Sequence, residues 1–183
     1  MSSKINRRRF VRHCVVGMGA VTMLAHPVEA ASRWRFLTPA EAELVDALCE
    51  QIIPGDEDPG AHEAGVVNFI DKQLAGFYRK HQAEYRRGLA GVDESSQSLF
   101  GKRFIELEWT QQTQVMQALE AGKAPGETWK QQASRSFFSL IRNHTMQGFY
   151  GSPRHGGNRN YVSYKMLDLE YPQIIGQNRY RRS

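Results

Sequence analysis

Thr38-Pro39-Ala40-Glu41-Ala42-Glu43-Leu44-Val45-Asp46-Ala47-Leu48-Cys49-Glu50-Gln51-Ile52-Ile53-Pro54 reads as one complete helix, with its start and its stop both written in the sequence. Thr38 is a capping residue, Pro39 suits the first turn, and Glu41 stands three residues after the cap, where a capping box closes. Leu37 occupies the position of a hydrophobic staple. Leu44, Val45, Leu48, Cys49 and Ile52 then fall on one face at helical spacing. Pro54-Gly55 ends the run.

Similar stretches follow. Val66, Val67, Ile70 and Leu74 make one face of a second helix that ends near Gly76. A third passes through Tyr85, Leu89 and Val92; Gly88 and Gly91 weaken it, and Ser95-Ser96-Gln97-Ser98 is a place for it to break. A fourth covers about Trp109 to Ala121, with Val115, Met116 and Leu119 as its stripe and Gly122 as its stop. A fifth is expected over about 127–148, carrying Trp129, Ala133, Phe137, Leu140, Ile141 and His144. No stretch alternates for long as a strand does, and no repeat is present. The expected fold is all-α: a single domain, 31–183, of short amphipathic helices.

The last 35 residues differ. Residues 150–160 are rich in Gly, Pro and Asn, with Phe149, Tyr150, Tyr161, Tyr164 and Tyr171 around them. Only a half-turn at Lys165-Met166-Leu167 is expected there. Irregular backbone must find partners for its amides, and a disordered tail would be poorer in aromatics. Residues 148–183 are therefore expected to be irregular and to wrap on another surface, disorder being the competing reading.

At the other end, Asn6-Arg7-Arg8-Arg9-Phe10-Val11 precedes a short apolar stretch, and Val28-Glu29-Ala30 offers small residues for cleavage. Residues 1–30 thus form a secretory leader of the twin-arginine type, with Arg7, Arg8 and Phe10 as the export signal. The apolar run from Cys14 to Ala25 is far shorter than the roughly 20 residues of a membrane span; a retained anchor is the alternative to cleavage. Five Lys/Arg and one Glu give this leader a charge of +4, so of the chain's +5 only +1 belongs to the remainder. A nearly neutral domain argues against a nucleic-acid binder. Arg179, Arg181 and Arg182 form a small basic tip.

A search for cofactor and catalytic chemistry returns little. Of two cysteines, Cys14 lies in the leader, so Cys49 is the one thiol left, either a buried core group or a bridge to another subunit. One cysteine excludes both Cys-x-x-Cys-His haem attachment and a four-thiolate cluster. Gly17-x-Gly19 lacks the strand and third glycine of a dinucleotide fingerprint. The carboxylates at 56, 57 and 58 miss calcium-loop spacing. His62-Glu63 lacks the second His of a zinc-protease helix, since position 66 is Val. His155-Gly156-Gly157-Asn158 resembles an esterase oxyanion loop, but no Gly-x-Ser-x-Gly elbow accompanies it. His144 and His155 remain candidate general bases, against plainer roles at a helix end and in a turn.

Two blocks carry a resemblance. Pro59-Gly60-Ala61-x-x-Ala64-Gly65-Val66-Val67-x-Phe69-Ile70-Asp71 and Gly148-Phe149-Tyr150-Gly151-x-Pro153-x-His155-Gly156-Gly157-Asn158-Arg159, continued by Tyr164-Lys165-Met166-Leu167 and Tyr171-Pro172-Gln173, resemble the gluconate 2-dehydrogenase subunit 3 family. The resemblance implies the small, non-catalytic subunit of a heterotrimeric oxidoreductase on the periplasmic side of the bacterial inner membrane. In such a complex FAD sits in a large flavoprotein and haem c in a multihaem cytochrome. It further implies that the chain binds the flavoprotein, helps it fold, and carries it through the twin-arginine translocase, touching the membrane only through its partners. The family dictates no catalytic, cofactor or metal residues. From composition, Tyr150, His155, Asn158, Arg159 and Tyr164 are the expected flavoprotein anchors. Three alternatives stay open: a related fructose, glucose or sorbitol dehydrogenase subunit, an independent enzyme using His144 or His155, and a helical binding module without redox role.

Overall fold

The computed structural model describes residues 33–169. The leader with Arg7, Arg8 and Phe10, the Tyr171-Pro172-Gln173 continuation and the basic tip lie outside the described residues. Among the described residues six α-helices follow one another: α1 (Pro39–Ile52), α2 (Val66–Leu74), α3 (Gln82–Phe100), α4 (Trp109–Ala121), α5 (Ser134–Tyr150) and α6 (Val162–Met166), with short 3₁₀ turns between several of them. The all-α expectation is met. Helix α5 is the hub and packs against α1, α2, α3 and α4.

The start of α1 forms as its residues require. The Glu41 amide donates to Thr38 Oγ1, and the Thr38 amide donates to Glu41 Oε2, 2.8 Å away. Its apolar face supplies Leu44, Val45, Leu48 and Cys49 to the core, where Val66, Ile70, Leu74, Val115, Leu119, Phe137, Ile141 and Phe149 meet them. Cys49 is fully buried and accepts a hydrogen bond from Thr145 Oγ1 at 3.2 Å. Burial pushes its thiol pKa up to about 12, so it stays a neutral packing group.

Asp71 ties the entry strand of chain to this core. Its buried carboxylate accepts from the amides of Arg35, Phe36 and Leu37 at 2.8–2.9 Å. Removing it would orphan three backbone donors at the foot of α1.

Helix α3 departs from expectation: it runs unbroken through Ser95-Ser96-Gln97-Ser98. The serine hydroxyls that could have competed with the helix instead bond back along it, Ser95 to the Gly91 carbonyl and Ser96 to that of Val92. Gly88 and Gly91, weak on propensity, are needed for packing. A Cβ on Gly88 would lie 2.1 Å from the Phe137 ring, and one on Gly91 2.6 Å from Trp129.

The fifth helix begins later than expected, at Ser134. Trp129 sits in a separate 3₁₀ turn, Thr128–Lys130, held where the Glu94 carboxylate accepts from the Glu127 and Thr128 amides. The Trp129 indole donates to Ser95 Oγ. Ala133, placed on the apolar stripe by periodicity, is exposed as the residue before α5.

The largest difference lies after Gly148. Helix α5 continues to Tyr150, two 3₁₀ turns and α6 follow, and the segment lies on its own domain. The surface that this backbone required is supplied by α2 and α5 of the same chain.

Candidate functional site

The two blocks quoted from the sequence meet in space. The Arg159 amide donates to the Ala64 carbonyl at 2.9 Å. Gly65 takes a left-handed conformation (φ +66°) before α2, with the Arg159 guanidinium lying over it, so that a Cβ there would come 2.9 Å from Nη2. Gly156 (φ +111°) rests on the backbone of Asn68 and Phe69, and Gly157 on that of Gly148, where a Cβ would sit 2.1 Å from the carbonyl oxygen. These glycines let the chain cross α2 and α5 backbone to backbone.

Asn158 fastens that crossing. It is fully buried at φ +45°; its side-chain amide donates to the Gly151 carbonyl at 2.9 Å, and its oxygen accepts from the Ser163 amide at 3.0 Å. Expected from composition to be a partner anchor, Asn158 is instead spent inside the chain, shaping the segment on which the other four sit. A small side chain that pairs with nearby backbone and tolerates left-handed geometry suits this position.

Tyr150 and His155 come together. They share a groove of about 590 Å³ with Phe69, Gln73, Tyr78, Met146, Gln147 and Gly151. Tyr150 and Met146 are about two-fifths exposed, and Phe77, whose ring is 5.3 Å from that of Tyr78, is 84% exposed. Arg159 is exposed outside this groove and Tyr164 is half-buried. Phe77, Tyr78 and Met146 were missed at the sequence level. Phe77 and Tyr78 belong to no periodic face, and nothing but Gly76-Phe77-Tyr78-Arg79-Lys80, an aromatic pair beside cations, signals them.

Behind the groove lies a stack of rings. Tyr78 stacks on His144 at 4.4 Å and 3°, Tyr85 lies parallel on it at 5.7 Å, and His81 approaches edge-on at 5.6 Å. The Tyr85 hydroxyl and His144 Nδ1 are hydrogen-bonded at 2.9 Å, and the Tyr78 hydroxyl donates to Gln147 Oε1. Burial, helped by nearby His81, pushes the His144 pKa down to about 4. Burial pushes the Tyr85 pKa up, so Tyr85 stays protonated. At neutral pH both groups are therefore uncharged pieces of a packed wall. His155 accepts from Arg154 Nε at 3.0 Å and lies at the groove's edge. Among the described residues, no cluster of three or more His, Cys, Asp or Glu side chains could hold a metal ion, and no helix is long and apolar enough to cross a membrane. What the groove offers chemically is apolar and aromatic surface with polar amides at its edge, a surface for recognition.

The family model for gluconate 2-dehydrogenase subunit 3 matches residues 39–170, which takes in all six described helices and both interlocked blocks. The chain belongs to the gluconate 2-dehydrogenase subunit 3 family. No curated protein and no solved structure matches it. Membership in a subunit 3 family implies a multi-subunit dehydrogenase, and the matched residues include those that form the α2–α5 crossing beside the groove.

Proposed function

We propose that this chain is the non-catalytic small subunit of a heterotrimeric, periplasm-facing gluconate 2-dehydrogenase, the complex that oxidises D-gluconate to 2-dehydro-D-gluconate. In this reading a flavoprotein large subunit holds FAD, and a multihaem cytochrome c subunit takes the electrons onward. The small subunit binds the flavoprotein, supports its folding and stability, and supplies the twin-arginine signal, Arg7, Arg8 and Phe10, that exports the pair. Tyr150, His155, Arg159 and Tyr164 serve as contact residues, and Asn158 holds their segment in place.

One observation carries the reading: the family match spans the whole helical domain, whose exposed feature is an aromatic groove suited to binding. The decisive experiment replaces Arg7 and Arg8 by Lys in the native host and follows the flavoprotein. The expected result is loss of flavoprotein and of gluconate oxidation from the periplasmic fraction. A flavoprotein that is still exported and active would refute the escort role.

A further inference from the structure

Charge is divided along this chain. From Asp46 to Asp71 there are seven carboxylates and no Lys or Arg; from Thr128 to Leu167 there are six Lys or Arg and no carboxylate. The groove lies on the second kind of surface. None of its lining residues is acidic, and each of its edges continues into a cation: Gln73 follows Lys72, Tyr78 precedes Arg79, and His155 follows Arg154. Lys72 Nζ donates to the Arg154 backbone carbonyl at 2.7 Å and Arg154 Nε donates to His155, a groove-lining residue, so both residues are tied to the His155 side of the groove. Among the described residues, Lys72, Arg79 and Arg154 form no ion pair, whereas Arg86, Arg103, Lys130 and Arg142 do. Cations that a fold leaves without counter-charge around an apolar depression are complementary to carboxylates brought by something else.

The shape selects the occupant's class. A concavity bounded by Phe69, Met146 and Tyr150 receives individual side chains, whereas a lipid surface would be met by protruding groups alone. We propose that the groove docks an acidic amphipathic segment of the flavoprotein subunit, its apolar side chains entering beside Met146 and Tyr150 and its carboxylates meeting Lys72, Arg79 and Arg154. This assignment rests on the subunit role proposed above and adds the surface and the chemistry of what it binds.

The test uses the complex of the two subunits, purified from the native host, with its dissociation constant measured at 50 and 300 mM KCl. The expected wild-type complex weakens about tenfold or more with salt, because exposed charge pairs are screened. K72E/R154E should weaken it at least tenfold at 50 mM and much less at 300 mM, and M146E at least tenfold at both. Circular dichroism melts within about 2 °C of wild type establish that the variants are folded. Because Met146 and Arg154 are exposed, M146K and R154A serve as milder replacements should a melt shift. A wild-type complex that none of these substitutions weakens overturns the groove assignment and leaves the subunit role standing; no complex at all overturns both. Sedimentation of the chain with phosphatidylglycerol vesicles, lost in F77A, together with a complex indifferent to K72E/R154E, would assign the surface to lipid and likewise overturn the proposal.

Discussion

The helical scaffold of α1–α5 and the segment from Gly151 to Leu169 are held together by different means. The scaffold closes on side chains: Leu48 of α1, Ile70 of α2 and Leu119 of α4 meet Phe137 and Ile141 of α5, and all five are essentially inaccessible. The segment closes on backbone: Gly157 against Gly148, Arg159 N–H to Ala64, and the Asn158 amide bridging Gly151 and Ser163. It buries few large apolar groups, and four of its non-glycine residues, Asn158, Asn160, Tyr161 and Asp168, hold positive φ. Apolar burial is cooperative over the whole domain, whereas polar fastening is local. The two regions should therefore fail differently.

Phe137 is the strongest test of the scaffold. Its ring fills the notch left by Gly88, stands edge-on to Tyr85 at 5.9 Å, and is fully buried. Phe137→Ala should cost about 3–5 kcal/mol and lower the melting temperature by about 10 °C or more in a single transition. A two-step melt by circular dichroism would show that the core is not one unit.

Acid probes the wall shared by the scaffold and the groove. The ordinary His pKa is near 6.5, and burial holds His144 at about 4. Between these values the unfolded chain binds the extra proton. Stability is thus complete above about pH 6.5 and falls as pH drops toward 4, by on the order of 2–3 kcal/mol. Among the described residues the rings beside His144 are Tyr78, Tyr85 and His81, and His81 itself pairs with Glu84. Exposed His62 works in the opposite sense, since its bond to Asp46 raises its pKa. Urea unfolding from pH 7.5 to 4.5 should show the loss, and His144→Phe should remove much of the slope, while His62→Gln should not reduce it and should, if anything, steepen it. An unchanged slope in His144→Phe would assign the acid sensitivity elsewhere.

Asn158→Ala tests the segment. Two hydrogen bonds are lost, and the partly buried Gly151 carbonyl and the buried Ser163 amide lose this partner, at a cost of about 1–3 kcal/mol. The loss should be confined: amides of residues 151–169 should exchange faster by tenfold or more, while those of α1 and α4 keep their protection. Equal acceleration everywhere would mean that the segment is as integral as Phe137.

The same division explains what the sequence makes legible. Helices α1, α2 and α4 were readable because caps, stripes and glycine stops agree at Thr38/Glu41, Val66–Leu74 and Trp109–Gly122. The continuity of α3 was hidden because Ser95 and Ser96 are ambiguous locally: their hydroxyls bond back to Gly91 and Val92, and Ser95 also accepts from the distant Trp129 indole, a partner that local sequence does not reveal. In the candidate site, Tyr150 and His155 stood out by composition. Asn158 could not be seen as a buried fastener, because that role depends on Gly151 and Ser163 being brought to it. Met146 carries no local mark and lines the groove from α5, while Tyr78 is marked only as half of an aromatic pair beside cations.

The smallest effect is expected where the segment's left-handed backbone is exposed. Asn160 lies at φ +56° and ψ +20°, inside the turn that leads into α6. Asparagine is among the few residues that adopt this conformation at little cost, while glycine gains freedom there only by loosening the unfolded chain as well. Asn160→Gly should therefore change stability by no more than about 0.5 kcal/mol. Asn160→Val should cost 1 kcal/mol or more, since a β-branched residue crowds its own backbone at positive φ. Because the strain falls on the segment, exchange at 159–166 should report it before the global melt does. If Val is as well tolerated as Gly, this turn does not need its left-handed geometry, and the segment is held by Asn158 and the glycine crossings alone.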